Sequence, residues 1–142
     1  MSNIPCLIEG GEFQDGRGSI KFFNDFSMSE IKRMYLIEHR KTNLVRAWQG
    51  HKIEQKWFLV LSGVFHFIFM KPDNWEMTSK ELNYFEFILT VNDSKILYVP
   101  NGFINGFKSL EENSKVIVYS DLTISDALSD NLKYEKDYWN YF

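Results

Sequence analysis

The chain has 142 residues, a formal net charge of −3 and an aromatic content of 17%. A chain of this length makes about one ordinary domain and buries enough surface to fold without disulfides or metals. Its abundant apolar side chains exclude a disordered chain, and its scattered Lys and Arg residues do not form the basic patch typical of a nucleic-acid surface.

The chain has one cysteine, Cys6, so it cannot form an internal disulfide, which fits a reducing compartment. The first residues lack the basic and apolar segments of a signal peptide. The longest apolar stretch, Val64–Met70, is interrupted by His66 and is too short to cross a bilayer. We therefore expect a cytoplasmic protein that contacts neither a membrane nor nucleic acid.

Short apolar runs separated by turn residues predict a chain made mainly of β-strands. Ser62-Gly63 joins two of these runs, which is typical of a tight hairpin. The run Val64–Met70 is almost continuously apolar and predicts a strand buried on both faces or placed at a subunit contact. The predicted strands are Ser19–Phe23, Met34–Glu38, Leu44–Trp48, Lys56–Leu61, Val64–Met70, Tyr84–Thr90, Ile96–Val99, Gly106–Leu110 and Lys115–Ser120.

Helix signals are few. Ser27 and Glu30 have the spacing of a capping box, but a strand follows closely, so at most one turn is predicted there. Ser125–Asn131 is predicted to form a short helix. Strands at this spacing, without a linker or an internal repeat, predict a single all-β domain over residues 1–142, closed as a sandwich or barrel. The predicted turns are Asp15–Gly18, Lys71–Asn74, Asn92–Ser94 and Pro100–Gly102.

The segment Arg46–Gly63 resembles the first sequence motif of the cupin family, in which two histidines one residue apart precede a glutamate and a glycine. Alternate residues of a strand share a face, so Gln49 and His51 are predicted to point into the barrel together. Lys56 stands in the place of the glutamate, and Gly63 ends the motif.

The segment Tyr98–Phe107 resembles the second cupin motif, with a Pro-x-Gly core and Asn105 in place of the final histidine. Together the two resemblances imply a jelly-roll cupin barrel. They assign the metal-ligand positions of that family to Gln49, His51, Lys56 and Asn105. Only His51 is a good ligand, and Lys56 brings a positive charge to the site, so we predict no metal and no cofactor.

Lys56 and several further sequence elements resemble those of cupins that act on nucleotide-linked sugars. Asp15–Gly18 is similar to an Asp-x-Arg-Gly element of the dTDP-4-dehydrorhamnose 3,5-epimerase family. Arg46–Gln49 is similar, imperfectly, to the Arg-Gly-Leu-His element of that family, and Val99–Phe107 to its Ile-Pro-x-Gly-Phe-Ala-His-Gly-Phe element.

A second family is also similar, the 3,4-ketoisomerases that act on dTDP-4-keto-6-deoxyglucose. Arg46, His51 and Lys52 match its Arg-Gly-x-His-Ala-His-Lys element. The resemblance to the two families extends from about Phe13 to about Asp121, which is most of the chain.

This sequence departs from the epimerases at two catalytic positions. Gln49 occupies the position of their histidine base, and glutamine cannot accept a proton at neutral pH. Their tyrosine acid lies slightly beyond the position of Tyr119, where this chain has Ile124 and Ser125. Ordinary 3,5-epimerisation is therefore disfavoured. His51 is then the candidate base, as the ketoisomerase resemblance allows.

Each candidate residue also has a structural alternative. His51 is a candidate base or a hydrogen-bonded core histidine. Lys56 is a candidate partner for an enolate oxygen or a solvent-facing lysine. Arg17 and Arg46 are candidates to clamp a diphosphate, although Arg17 is also typical of a solvated turn. Arg46 is expected to have an anion or a carboxylate as its partner, and Asn105 either holds a substrate hydroxyl or satisfies a turn.

Gln49 and Tyr119 complete the predicted substrate-binding residues. His39 and His66 lie outside the motifs, so a structural role is favoured for both. The aromatic clusters are predicted to be core or dimer-interface residues rather than platforms for a nucleobase, because a chain end this apolar needs a surface to cover it. These clusters are Trp48, Trp57 and the terminal run Tyr138–Phe142.

Two functions remain open. The first is a metal-independent isomerase or epimerase of a nucleotide-linked 4-keto-6-deoxy sugar. In it, His51 removes the proton next to the ketone and Lys56 stabilises the enolate oxygen. The second is a non-catalytic sugar-nucleotide-binding cupin that has lost the epimerase base, a hypothesis favoured by Gln49. Both predict a nucleotide-sugar ligand, and we expect a homodimer that serves deoxysugar or cell-surface polysaccharide biosynthesis.

Overall fold

Antiparallel strands make up about half of the chain, which a computed structural model describes for residues 2–142. One short helix, α1 (Ile124–Leu128), and a 3-10 turn at Val91–Asp93 interrupt them. The strands are β1 (Cys6–Glu9), β2 (Gly11–Asp15), β3 (Gly18–Phe22), β4 (Arg33–His39), β5 (Val45–His51), β6 (Lys56–Ser62), β7 (Val64–Met70), β8 (Tyr84–Thr90), β9 (Lys95–Val99), β10 (Phe103–Ser109), β11 (Ser114–Ser120) and β12 (Leu132–Lys133).

Two five-stranded sheets pack face to face. Their strand orders are β1-β9-β6-β11-β4 and β12-β5-β10-β7-β8. Alternate residues of each strand point inward, and together they form one apolar core. Phe58 on β6, Phe67 on β7 and Val118 on β11 are among its fully buried members. This arrangement confirms the predicted all-β jelly-roll barrel.

The sequence pattern misses β1, β2 and β12. Of these, β1 has four residues and β12 only two, and both lie at a sheet edge, so their pairing depends on neighbouring strands rather than on a strong local pattern. β10 begins at Phe103 rather than at the predicted Gly106. The preceding Gly102, with a φ of 93°, completes the turn, so the strand starts directly after it.

The predicted helix near the end is shorter than expected. α1 begins after Thr123, whose side chain caps it, and it ends at Leu128 instead of reaching Asn131. Asp130 leaves the helix because its carboxylate binds the loop that follows β5. Ser27–Glu30 forms a turn and no helix.

Strand β7 is buried on both faces, as its apolar run predicts. Phe65, Phe67 and Phe69 point into the core between the sheets. On the other face, Ile68 and Met70 lie under the C-terminal segment of the same chain. Burial of this strand therefore requires no partner subunit.

The aromatic C-terminal segment provides that cover. Trp139 packs edge-on against Trp48 of β5, with ring centroids 5.7 Å apart, and its Nε1 donates to the Ser79 carbonyl at 3.1 Å. Phe142 stacks on the same Trp48 ring at 5.3 Å. The segment is thus a structural layer that supports β5, in agreement with the predicted core role.

The hairpin of β2 and β3 forms a separate two-stranded sheet outside the barrel. Its side chains Phe13 and Ile20 are 57% and 63% exposed. Among residues 2–142, no helix has both the length and the apolar character to span a membrane.

Candidate functional site

A cavity of about 630 Å³ opens between the edge strand β4 and strand β5. Its walls come from both sheets, because β4 belongs to one and β5 to the other. Four of the residues predicted from the motifs line it together: Arg46, Gln49, Lys56 and Asn105.

A bulge in β5 brings Arg46 to this face. Asn105 of β10 is opposite Gln49, but the next residue, Gly106, is opposite Ala47, so Trp48 is an extra residue in β5. Strict alternation would point Arg46 away from Gln49. The bulge restores it to the inner face, opposite Phe107.

Gly106 makes that bulge possible. A Cβ atom at this position would lie 2.6 Å from the Trp48 ring, which is closer than packed atoms allow. The absence of a side chain lets the indole lie against β10 and under the C-terminal segment.

Two amides face each other across β5 and β10. Gln49 and Asn105 are register partners, and both line the cavity. Within residues 2–142, neither side chain makes a hydrogen bond to another protein group. Each amide offers a donor and an acceptor to a ligand, which is a binding role and not a proton-transfer role.

His51 lies next to this cavity, in a smaller one of about 170 Å³ that shares Tyr35, Gln49 and Lys56 with it. Its Nδ1 is 2.9 Å from the Asp130 carbonyl oxygen and 3.3 Å from Glu54 Oε1. Both neighbours are acceptors, so Nδ1 carries the ring proton. Nε2 then keeps its lone pair, and this buried atom has no partner among residues 2–142.

The surroundings of His51 keep its ring neutral. Burial lowers the pKa of His51, and the positive charge of Lys56 lowers it further. The Asp130 carbonyl and the Glu54 carboxylate oppose this shift without cancelling it. At neutral pH the ring is therefore a proton acceptor at Nε2.

Sequence reasoning missed Glu54 and Asp130. The Asp130 carboxylate accepts hydrogen bonds from the backbone N–H groups of Lys52, Ile53 and Glu54 at 2.8–3.0 Å, and it fixes the loop that leaves β5. Nothing local in the sequence connects two segments more than 75 residues apart. Glu54 is within the recognised motif, two residues before Lys56, but it lies in the loop before β6, where strand alternation does not apply.

Arg46 has a partner of a different kind from the one predicted. Its Nε donates to His39 Nε2 at 3.0 Å, so the partner is a histidine and not a carboxylate. Burial and the charge of Arg46 lower the pKa of His39, which keeps it neutral as an acceptor. The terminal Nη groups of Arg46 make no hydrogen bond with residues 2–142, so they remain available to an anion.

Two predicted residues lie elsewhere. Arg17 is at the tip of the β2–β3 hairpin and pairs with Asp15 at 2.6 Å. Tyr119 points to the outer side of its sheet, where it packs 5.2 Å from Phe26, because Val118 and Ser120 on either side take the inner positions. The chain brings neither residue to the cavity that holds Gln49 and Lys56.

The cavity also contains residues that the sequence did not suggest. Lys133 of β12 is opposite Gln49 and lines the wall, together with Tyr134 and Tyr35. β12 has only two residues, so no strand pattern indicated that Lys133 faces a site.

The four cupin ligand positions do not fit a divalent metal. Gln49, Lys56 and Asn105 leave His51 as one good donor, and Lys56 is a cation. Across residues 2–142, no group of three or more His, Cys, Asp or Glu side chains is arranged to hold a metal ion.

We expect elemental analysis of the purified protein to find no stoichiometric Fe, Zn, Mn or Ni, because the donor set is incomplete. The measurement should be repeated after dialysis against a chelator as a control. About one metal ion per chain, removable only by the chelator, would contradict this prediction.

Comparison with known proteins gives matches at the level of structure. No protein-family model matches the chain, and no curated protein matches it. A dTDP-4-dehydrorhamnose 3,5-epimerase from Bacillus anthracis, solved with TDP and pyrophosphate bound, is similar with a TM-score of 0.76 and 16% identity, over 94% of this chain and 79% of that one.

Two ketoisomerases are similar as well. The TDP-quinovose 3,4-ketoisomerase of Campylobacter jejuni has a TM-score of 0.71 and 19% identity, over 94% of this chain and 95% of that one. A sugar 3,4-ketoisomerase of Thermoanaerobacterium thermosaccharolyticum in complex with TDP has a TM-score of 0.70 and 18% identity, over 97% and 93%. The likeness predicted from the two motifs is confirmed at the level of the fold: this chain has the cupin jelly roll of these epimerases and ketoisomerases.

Proposed function

We propose that this protein binds a nucleotide-linked 4-keto-6-deoxy sugar and moves a proton next to its ketone, as an isomerase or epimerase that needs no metal. The observation that carries the proposal is the lone pair of His51 Nε2, a buried atom without a hydrogen-bond partner among residues 2–142. It lies near the Lys56 cation, in a cavity that shares three lining residues with the larger one. The TDP ligands of the similar structures support dTDP as the nucleotide.

The larger cavity suits the nucleotide part. Its volume of about 630 Å³ is within the range of small-molecule sites. Arg46 and Lys133 supply positive charge for a diphosphate, and guanidinium groups bind phosphate oxygens in a bidentate way. Tyr35 and Tyr134 supply ring surface for the sugar or base.

The chemistry follows from His51 and Lys56. His51 Nε2 takes the proton from the carbon next to the ketone, and the C–H electron pair forms the C=C bond of an enolate. The Lys56 ammonium stabilises the negative oxygen. Return of a proton to the same carbon from the opposite face gives an epimer. Transfer of the adjacent hydroxyl proton to the enolate oxygen, followed by return of the proton from His51 to the former carbonyl carbon, gives the isomeric ketone.

A non-catalytic sugar-nucleotide-binding cupin is the second candidate. The amides of Gln49 and Asn105, which have no hydrogen-bond partner among residues 2–142, favour it, because amides can bind hydroxyl groups but do not transfer protons. This hypothesis retains binding of the nucleotide sugar but not its conversion, so an assay of proton exchange next to the ketone distinguishes the two candidates.

We also propose that residues 1–142 act as one domain and that the chain forms a homodimer. Exposed Phe13 and Ile20 on the β2–β3 hairpin support self-association, because apolar side chains grouped outside the barrel are typical of contact surfaces. In such a dimer Arg17, at the tip of the same hairpin, is our candidate for a second phosphate contact.

The test of ligand class is thermal stabilisation by dTDP, UDP and their sugars. A ligand at one hundred times its dissociation constant adds about 2.7 kcal/mol to the free energy of unfolding. Arg46→Ala is expected to remove most of this gain through loss of phosphate contacts. The matched control is Arg40→Ala, because Arg40 is exposed, pairs with Glu38 and lines neither cavity. If no nucleotide raises the melting temperature of the wild type, the nucleotide-sugar proposal fails.

A further inference from the structure

Glu54 is a buried carboxylate whose two oxygens have different partners. Its side chain is 1% exposed. Oε2 accepts from Arg33 Nη2 at 3.1 Å and from the Ser120 hydroxyl. Oε1 is 3.3 Å from His51 Nδ1 and 3.8 Å from Lys56 Nζ. One oxygen is thus held by the barrel wall, and the other faces the two residues to which we assign the reaction.

The position of Glu54 is fixed from two directions. Its backbone N–H donates to Asp130 Oδ2 at 2.8 Å, so the main chain is tied to the segment after α1. Arg33 and Ser120 hold Oε2 from β4 and β11. A buried carboxylate without partners is strongly unfavourable, so this set of bonds accounts for its presence inside the barrel.

We propose that Glu54 is a positioning residue: its Oε1 helps to keep the proton on His51 Nδ1, so that Nε2 stays free as the base, and it is the counterion shared by His51 and Lys56. This inference rests on the function proposed above. Glu54 acts through His51 and Lys56 and does not touch the substrate.

The role follows from charge. When Nε2 takes a proton, the ring becomes an imidazolium beside the Lys56 ammonium, and two like charges oppose each other. Glu54 lies against both and lowers the free energy of that state. The other charged groups near His51 are Asp130, whose carboxylate is occupied by backbone N–H groups, and Arg33, which reaches it only through Glu54.

The first test uses the protein without substrate. ¹⁵N NMR of wild-type imidazole nitrogens is expected to show neutral His51 with a protonated Nδ1 and a bare Nε2. Glu54→Gln is expected to lower the pKa of His51 further, because the countercharge is lost while Lys56 remains. Observation of the Nε2–H tautomer in the wild type would overturn the proposal even if the variant fails to fold.

A matched control is available on the outer surface. His66 Nε2 lies 2.7 Å from Glu86 Oε2, so Glu86→Gln also removes a carboxylate beside a histidine. It removes the His66–Glu86 contact and is expected to leave the pKa of His51 unaltered. An unchanged His51 pKa in folded Glu54→Gln would contradict the proposal.

The second test follows the pH dependence of proton exchange with the keto sugar. The base must be deprotonated, so the rate rises with pH through the His51 pKa. In Glu54→Gln this acid limb is expected to move to lower pH, and the plateau to fall about tenfold or more, because a weaker base removes protons more slowly. A residue with only a structural role would lower the plateau without moving the limb.

The two tests keep the proposals apart. A wild type that exchanges no proton refutes the proposed function, while the NMR titration still decides whether Glu54 controls His51. A lowered His51 pKa with an unmoved acid limb would overturn the positioning role, because the group that titrates in the reaction would then be another residue.

Discussion

Replacing His51 with asparagine is expected to slow deuterium incorporation into dTDP-4-keto-6-deoxyglucose by about 10²–10⁴-fold, the usual effect of losing a positioned general base. Asparagine keeps a polar side chain of similar reach but has no nitrogen lone pair that accepts a proton at neutral pH. The variant is expected to bind dTDP as the wild type does, because Arg46 and Lys133 are unchanged.

The experiment places the sugar in deuterated water with enzyme and follows the mass of the sugar with time. The matched control is His66→Asn, because His66 pairs with Glu86 and lines neither cavity. Burial and the charge of Lys56 lower the pKa of His51, so the ring is expected to be in its base form at neutral pH. The exchange rate of the wild type is therefore expected to fall only in acid. Equal incorporation by His51→Asn would show that the base is another residue, and none by the wild type would favour the binding module.

Replacing Trp139 with alanine is expected to lower the free energy of unfolding by about 3–5 kcal/mol, the usual cost of removing a buried tryptophan. The indole is 3% exposed and contacts Trp48, Tyr134 and Tyr138. Its loss also leaves the Ser79 carbonyl without its donor. Because Trp48 is the bulged residue of β5, the wall that carries Arg46 and Gln49 is expected to loosen as well.

Urea denaturation measures the free energy of unfolding. The rise in melting temperature on adding nucleotide reports whether the cavity wall that carries Arg46 and Gln49 is intact. Leu128→Ala is the matched control, since Leu128 is 73% exposed on α1 and its truncation should change stability by less than about 0.5 kcal/mol. If Trp139→Ala were as stable as the wild type, the C-terminal segment would not be a structural layer of the barrel.

Much of the fold follows from local patterns. The apolar runs on either side of Ser62-Gly63 form strands β6 and β7 as predicted, but the two strands lie in different sheets and do not pair, so the predicted hairpin is wrong. Gly63, with a φ of 70°, instead turns the chain from one sheet to the other. The continuous apolar run Val64–Met70 is buried on both faces, and the aromatic chain end supplies the cover. These features are local because strand patterning and turn chemistry act between neighbours in sequence.

The candidate site was only partly accessible to the same reasoning. The motifs indicated Gln49, Lys56 and Asn105, and the structure brings them to one cavity, with His51 adjoining it. Arg46 faces the same cavity only because of a one-residue bulge, which alternation alone would not give.

Residue type and spacing were enough to predict the strand-rich fold, the two motifs and the residues at the four cupin ligand positions. The groups that surround His51 depend on tertiary contacts. Asp130 reaches the β5 loop from a segment about 80 residues away, and Glu54 meets Arg33 and Ser120 from two other strands. Such contacts depend on how the sheets close over one another, and no local pattern encodes that closure.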